Sequence, residues 1–138
     1  MKDIVIIGAG GFGQEVLHII NEINKVSPTW KVLGFASEVP SDWGKKFHGY
    51  NVVKVSDVKT KCVALGFGSP IGKFNFVKKY KQFQYPNVIH PKVEITLGVK
   101  IDPSGIIIAH GTSLMPCSHI KNFVSINVHC VVGHDTII

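Results

Sequence analysis

Between Ile89 and Ile138 the aliphatic positions recur every six residues, a period that suits neither an amphipathic helix nor an alternating strand. Counted back from the C-terminus, Ile138, Val132, Ile126, Ile120, Leu114 and Ile108 form an unbroken series. Ile89, Ile95, Ile101 and Ile107 keep the same period one residue out of phase. Four places after all of these but Ile107 and Ile138, the residues Val93, Val99, Gly105, Thr112, Ser118, Val124, Cys130 and Thr136 are small or β-branched. A chain that turns a corner every six residues meets this pattern. Three short strands then make one triangular coil, and stacked coils bury the aliphatic column. The expected architecture is the hexapeptide repeat of a left-handed parallel β-helix. The one-residue slip between Ile101 and Ile108 would be absorbed at a bulge near Pro103-Ser104-Gly105. An ordinary antiparallel β-domain would instead alternate at period two between varied turns.

Upstream the periods are different. Asp3 to Ile7 is a short continuous aliphatic run, as in a parallel strand covered on both faces. Gly8-Ala9-Gly10-Gly11-Phe12-Gly13 follows, and then Val16, Ile19, Ile20 and Ile23 fall at helical spacing. The glycines at 8, 10 and 13 therefore sit between a strand and a helix, where a tight turn brings phosphate to the helix N-terminus. Close strand–helix packing alone would also call for them. Trp30 to Phe35 reads as a second strand ending near Ala36-Ser37-Glu38, and Glu38 is either a ribose ligand or an exposed loop residue. Val39 to Tyr50 reads as a loop, Val52 to Val55 as a short strand, and Lys61 to Gly66 as a buried strand. That last strand runs into Phe67-Gly68-Ser69-Pro70, beside the first glycine loop. Ile71 to Gln82 reads as a helix with its lysines outside, and Tyr85 to Pro91 leads into the repeat.

Three or four parallel strands fit before residue 85, too few for a full dinucleotide fold and enough for one nucleotide. The expected organisation is α/β: a Rossmann-like nucleotide-binding domain with a small parallel sheet over residues 1–85, then an incomplete left-handed parallel β-helix of hexapeptide repeats over 86–138.

Composition narrows the function classes. The 45% hydrophobic and 17% charged residues fit a packed protein. No apolar run reaches the length of a membrane span, and with Met1-Lys2-Asp3 leading directly into a short strand neither a span nor a signal peptide is expected. The expected location is the cytoplasm, with the three cysteines Cys62, Cys117 and Cys130 as small buried residues of a reducing compartment. The seven histidines lack a zinc spacing, so no metal is expected. A net charge of +6 favours anionic partners, but aromatic residues do not interleave with the lysines as on a nucleic-acid platform.

Taken in order, Ile6 to Val16, Ala64 to Pro70, Pro86 to Pro91, Asn122 to Asn127 and Val132-Gly133-His134-Asp135 resemble the NeuD/PglD-type sugar acetyltransferases along the whole chain. The resemblance implies a homotrimer moving acetyl from acetyl-CoA to an amino or hydroxyl group of a nucleotide-activated or free sugar in surface-glycan biosynthesis. By it His134 is the general base and Asp135 its orienter. Gly8, Gly10, Gly11, Phe12, Gly13, Ser37, Glu38, Gly66, Gly68 and Ser69 form the substrate cradle. A histidine of near-neutral pKa can take the proton an attacking amine or hydroxyl must lose, and a carboxylate fixes its tautomer. On the residues alone, His134-Asp135 reads first as a solvent-exposed turn. His129 is the reserve base, His90 is structural at the joint, and His110 and His119 face solvent or a neighbouring subunit.

Two features depart from the family pattern. Ser37-Glu38 stands where an acidic pair is common, and the chain stops at Ile138 after about eight hexads, with further coils and a cap expected. This reads as a chain truncated at its C-terminus, its activity alone in doubt. The alternatives are a non-catalytic nucleotide-binding module that oligomerises through its coil, and a fragment of an NAD-linked oxidoreductase.

Overall fold

The computed structural model describes residues 1–138. It is a mixed α/β structure whose strands pair mostly in parallel. The first aliphatic run is β1 (Lys2–Ile7), buried over its last four residues. It lies between β2 (Trp30–Ser37) and β5 (Val63–Leu65), parallel to both. β4 (Tyr50–Lys54) extends the sheet alongside β2. The stretch expected as a loop contains one more strand, β3 (Lys46–Phe47), antiparallel to β4. Its tight turn has His48 and Gly49 in the left-handed region, at φ 51 and 84. The sheet order is β3-β4-β2-β1-β5.

Two helices complete this part. α1 (Gly11–Val26) buries Val16, Leu17, Ile19 and Ile20, the stripe its spacing predicts. Past its end, the Asn24 carboxamide accepts from the backbone N–H of Thr29 and Trp30, which aims the chain into β2. α2 (Pro70–Lys79) begins where Ser69 Oγ accepts from Gly72 N–H and Pro70 occupies the first helical position. It ends short of Gln82, because the sheet edge captures the following backbone. Gln84 bonds to Lys61 and Val63 through backbone groups. The expectation of outward lysines fails at Lys73, which is 5% exposed.

From Val88 on, eight two-residue strands wind into three parallel sheets. One face holds β6 (Val88–Ile89), β9 (Ile107–Ile108) and β12 (Ser125–Ile126); the second holds β7 (Glu94–Ile95), β10 (Ser113–Leu114) and β13 (Val131–Val132). The third holds β8 (Lys100–Ile101) and β11 (His119–Ile120). Ile106, Ile108, Leu114, Ile120, Ile126 and Val132 form one buried cluster inside the coil. A fully buried aliphatic side chain of this kind contributes about 1.5–3 kcal/mol. The out-of-phase run is corrected by the structure. Ile89 and Ile101 point toward the coil interior, but Ile107 faces outward and joins Val88, Ala109 and the α1 stripe in a second core.

Each corner of the coil after the first has one residue in the left-handed region: Gly98, Gly105, Gly111, Cys117, Phe123, His129 and Asp135, at φ 53 to 70. The series runs in sixes except between Gly98 and Gly105, so the extra residue lies at this bulged corner. Gly105 is therefore a corner and not the small inward residue of the six-residue count; Ile106 fills the inward place. Asn87 stitches the bulge, its carbonyl accepting from Ile106 N–H and its amide donating to the Asp102 carbonyl. The reading of the cysteines as buried is corrected: Cys117 is a corner residue whose side chain leaves the coil and is exposed, while Cys62 and Cys130 are half-buried, packed against the first core and the coil interior.

Candidate functional site

The glycine loop separates into two sets. A Cβ on Gly13 would lie 2.1 Å from the Gly8 carbonyl oxygen, and one on Gly66 2.7 Å from Gly13 Cα. These three glycines let β1, α1 and the end of β5 touch through their backbones. Gly10 and Gly11 have open space where a Cβ would stand. There the first turn of α1 carries no side-chain cap, so its first N–H groups are left without a side-chain acceptor. Of the two uses of the motif foreseen from sequence, close packing accounts for Gly8, Gly13 and Gly66, while Gly10 and Gly11 stand free of it.

A cavity of about 460 Å³ opens at these free groups. Of the candidate residues, Gly8, Gly10, Gly11, Phe12, Ser37, Glu38 and Gly66 line it, and Asp42 joins them. Gly13 lies beneath it as packing. Ser69 caps α2, and Gly68 lines the neighbouring cavities under α2 instead. Asp42 was missed from sequence because it lies within the segment read as loop, which a short 3₁₀ turn at Pro40–Asp42 folds back toward Ser37. Its Oδ2 accepts from Ser37 Oγ at 2.9 Å, and the Trp43 indole N–H donates to the Ser37 carbonyl. Lys45 and Ser37 hold the Asp42 carboxyl below its ordinary range. Glu38 Oε1 accepts from Lys79 Nζ at 2.6 Å and from the Tyr80 hydroxyl at 2.9 Å. These bonds, Lys79 first, lower its pKa against the opposing effect of desolvation. The rim of the cavity is therefore an anchored carboxylate pair.

His134 and Asp135 stand on a different part of the molecule. Asp135 takes the left-handed corner position, and its Oδ2 lies 2.8 Å from His134 Nδ1. With Nδ1–H donating to the carboxylate, Nε2 is left as the acceptor. The side chains are 80% and 75% exposed. The first 85 residues cover the β6-β9-β12 face and its two flanking corners, through the α1 stripe, His18 against His90, and Lys73 against Phe123. His134 and Asp135 lie at the remaining vertex. Within one chain the coil stands between this pair and the glycine cradle.

The other histidines are accounted for. His90 is buried at the joint, and its Nδ1 accepts from Lys92 N–H. His119 pairs with Asp102 at 2.7 Å. His110 packs between His90 and His129, with ring centroids 5.5 and 4.9 Å away. No group of three or more side chains is arranged to hold a metal ion, and no helix is long and apolar enough to cross a membrane.

Comparison with solved structures gives the same fold across 99% of the chain. A mutant of perosamine N-acetyltransferase from Caulobacter crescentus, in complex with CoA and GDP-perosamine, superposes with a TM-score of 0.84 at 19% identity. The acetyltransferase domain of PglB from Neisseria gonorrhoeae gives 0.82 at 18%, and the same domain with acetyl coenzyme A gives 0.80 at 18%. The chain spans 65%, 67% and 66% of these three chains. At such identity the likeness is one of fold. No curated protein matches the sequence. Residues 3–79 match the family model described as the PglD N-terminal domain, and with more than half of its length so matched the chain belongs to the PglD N-terminal domain family.

Proposed function

We propose that the chain serves transfer of acetyl from acetyl-CoA to an amino or hydroxyl group of a nucleotide-activated sugar, in the cytoplasm and toward surface glycans. In this reading residues 1–85 are a Rossmann-like domain whose cradle holds the nucleotide sugar, and residues 86–138 belong to a left-handed parallel β-helix. The observation that carries it is the His134–Asp135 pair, with Nδ1 bonded at 2.8 Å and Nε2 free at an exposed corner. Family membership and the likeness of fold to sugar N-acetyltransferases support it.

As the acceptor nitrogen or oxygen attacks the thioester carbonyl, Nε2 takes its proton and Asp135 stabilises the imidazolium. The tetrahedral intermediate collapses, the carbon–sulfur bond breaks, and the imidazolium returns the proton to the departing CoA thiolate. Because the pair and the cradle of one chain lie on opposite sides of the coil, the site is completed by a second copy, consistent with a homotrimer. Thiol release from acetyl-CoA with a panel of 4-amino-sugar nucleotides tests the reading. His134→Ala is expected to slow release by about 10²–10⁴-fold with the fold intact. Binding of nucleotide sugar without release from any acceptor would leave a non-catalytic, oligomerising module.

A further inference from the structure

Where the first turns of α2 meet the Phe123 corner, a cavity of about 620 Å³ lies outside the chemistry assigned to His134. At its floor is Lys73, whose ammonium donates to Ser125 Oγ at 2.5 Å and to the Phe123 carbonyl at 3.2 Å. An ammonium carries three donors, and these two acceptors leave one without a protein partner. None of the ion pairs in the structure involves Lys73, and no acidic side chain lines the cavity. Pro70, Phe74, Val77 and Val124 form apolar walls, and Lys78 adds a second positive charge. Burial draws the Lys73 pKa down from the lysine range, as expected of a charge lacking its counter-charge. A lysine so placed within a packed interface is costly unless an anion completes it.

We propose that this cavity binds an organic monocarboxylate, which pairs with the Lys73 ammonium. Lys78 is exposed, so only the Lys73 ammonium is buried at the floor, and a phosphate dianion brought there would keep an excess charge against the apolar walls. A carboxylate matches the ammonium one to one, and its organic body meets Phe74, Val77 and Val124. Gly68 and Ser125 also line an adjoining cavity that reaches Phe12, and Phe12 lines the glycine cradle. The carboxylate therefore belongs either to a sugar lying along this groove or to a separate small acid.

Titration of the ¹⁵N-labelled chain with benzoate, glucuronate, benzamide and inorganic phosphate, followed through the backbone amides, tests the assignment. Benzoate or glucuronate is expected to shift the amides of Lys73 and of Phe123 to Ser125. Benzamide, lacking the charge, should bind about tenfold more weakly than benzoate, and Lys73→Met should cost the acids about the same factor. Lys73→Arg should retain binding. Glucuronate bound more tightly than benzoate identifies a sugar acid in the groove, and the reverse order a separate small acid. Equal binding of benzoate and benzamide, preference for phosphate, or no response to either acid overturns the proposal. The benzoate–benzamide comparison is made on the unaltered chain, so it decides even if Lys73→Met does not fold. No acetyl-CoA is present, so the result is independent of whether His134 performs acetyl transfer.

Discussion

In the N-terminal sheet, a Cβ on Gly13 would stand 2.1 Å from the Gly8 carbonyl oxygen; in the coil, one on Gly111 would stand 2.3 Å from Nδ1 of His129. The distances are almost equal, and the neighbours are not. The Gly8 carbonyl is backbone, held between β1 and α1, and cannot move without disturbing both. The His129 ring is the end of a side chain at an open corner and can swing away. The sheet thus concentrates its constraints where segments distant in sequence meet once. The coil spreads them over repeated pairs 18 or 19 residues apart, such as Gly111 with His129 and Gly98 with Cys117.

The contrast is sharpest for Gly13→Ala, which is expected to cost more than about 3 kcal/mol or to prevent folding, as read by denaturant unfolding. Leu114→Ala removes a fully buried side chain from the coil column and should cost about 3 kcal/mol by the same measurement. Gly111→Ala should cost only about 1–2 kcal/mol, mostly from its left-handed backbone at φ 70. Adding His129→Ala should recover only the part due to ring displacement. If Gly13→Ala proved no costlier than Gly111→Ala, the distinction between backbone and side-chain neighbours would fail.

The smallest effect concerns His119 and Asp102. The bond from His119 lowers the Asp102 pKa, so its stabilising contribution is present above the ordinary aspartate value near 3.9 and lost as pH falls through the lower folded value. The difference in Tm between the wild type and Asp102→Asn should therefore be visible near neutral pH and close below about pH 4.

Legibility in the sequence followed the same division. The coil column from Ile108 to Val132 could be read by counting, because every turn repeats one environment. Counting failed at the slip, where Gly105 and Ile107 took roles that a strict period does not assign. In the sheet, β1 and α1 were evident from their runs, but the hairpin strand at Lys46–Phe47 was too short for periodicity to show. Lys73 was misread because lysine on a helix is ordinarily solvated, although its spacing from Phe76, Val77 and Tyr80 marks the same inward stripe. That the residues around Gly8, Ser37 and Gly66 share one cavity was legible in the sequence, whereas Asp42 joins them through a turn that no spacing rule announces.

The bulge at residues 103–105 acts on positions thirty residues further along the chain. In a coil with three sides, every later residue inherits its direction from the count that precedes it. Were the extra residue not taken up at the bulge, the chain beyond it would be frameshifted in space. Unless a later corner compensated, His134 and Asp135 would each move one place around the triangle, Asp135 would leave the corner, and the imidazole would point elsewhere. The orientation of the pair is thus set by a count made in a loop that touches neither residue.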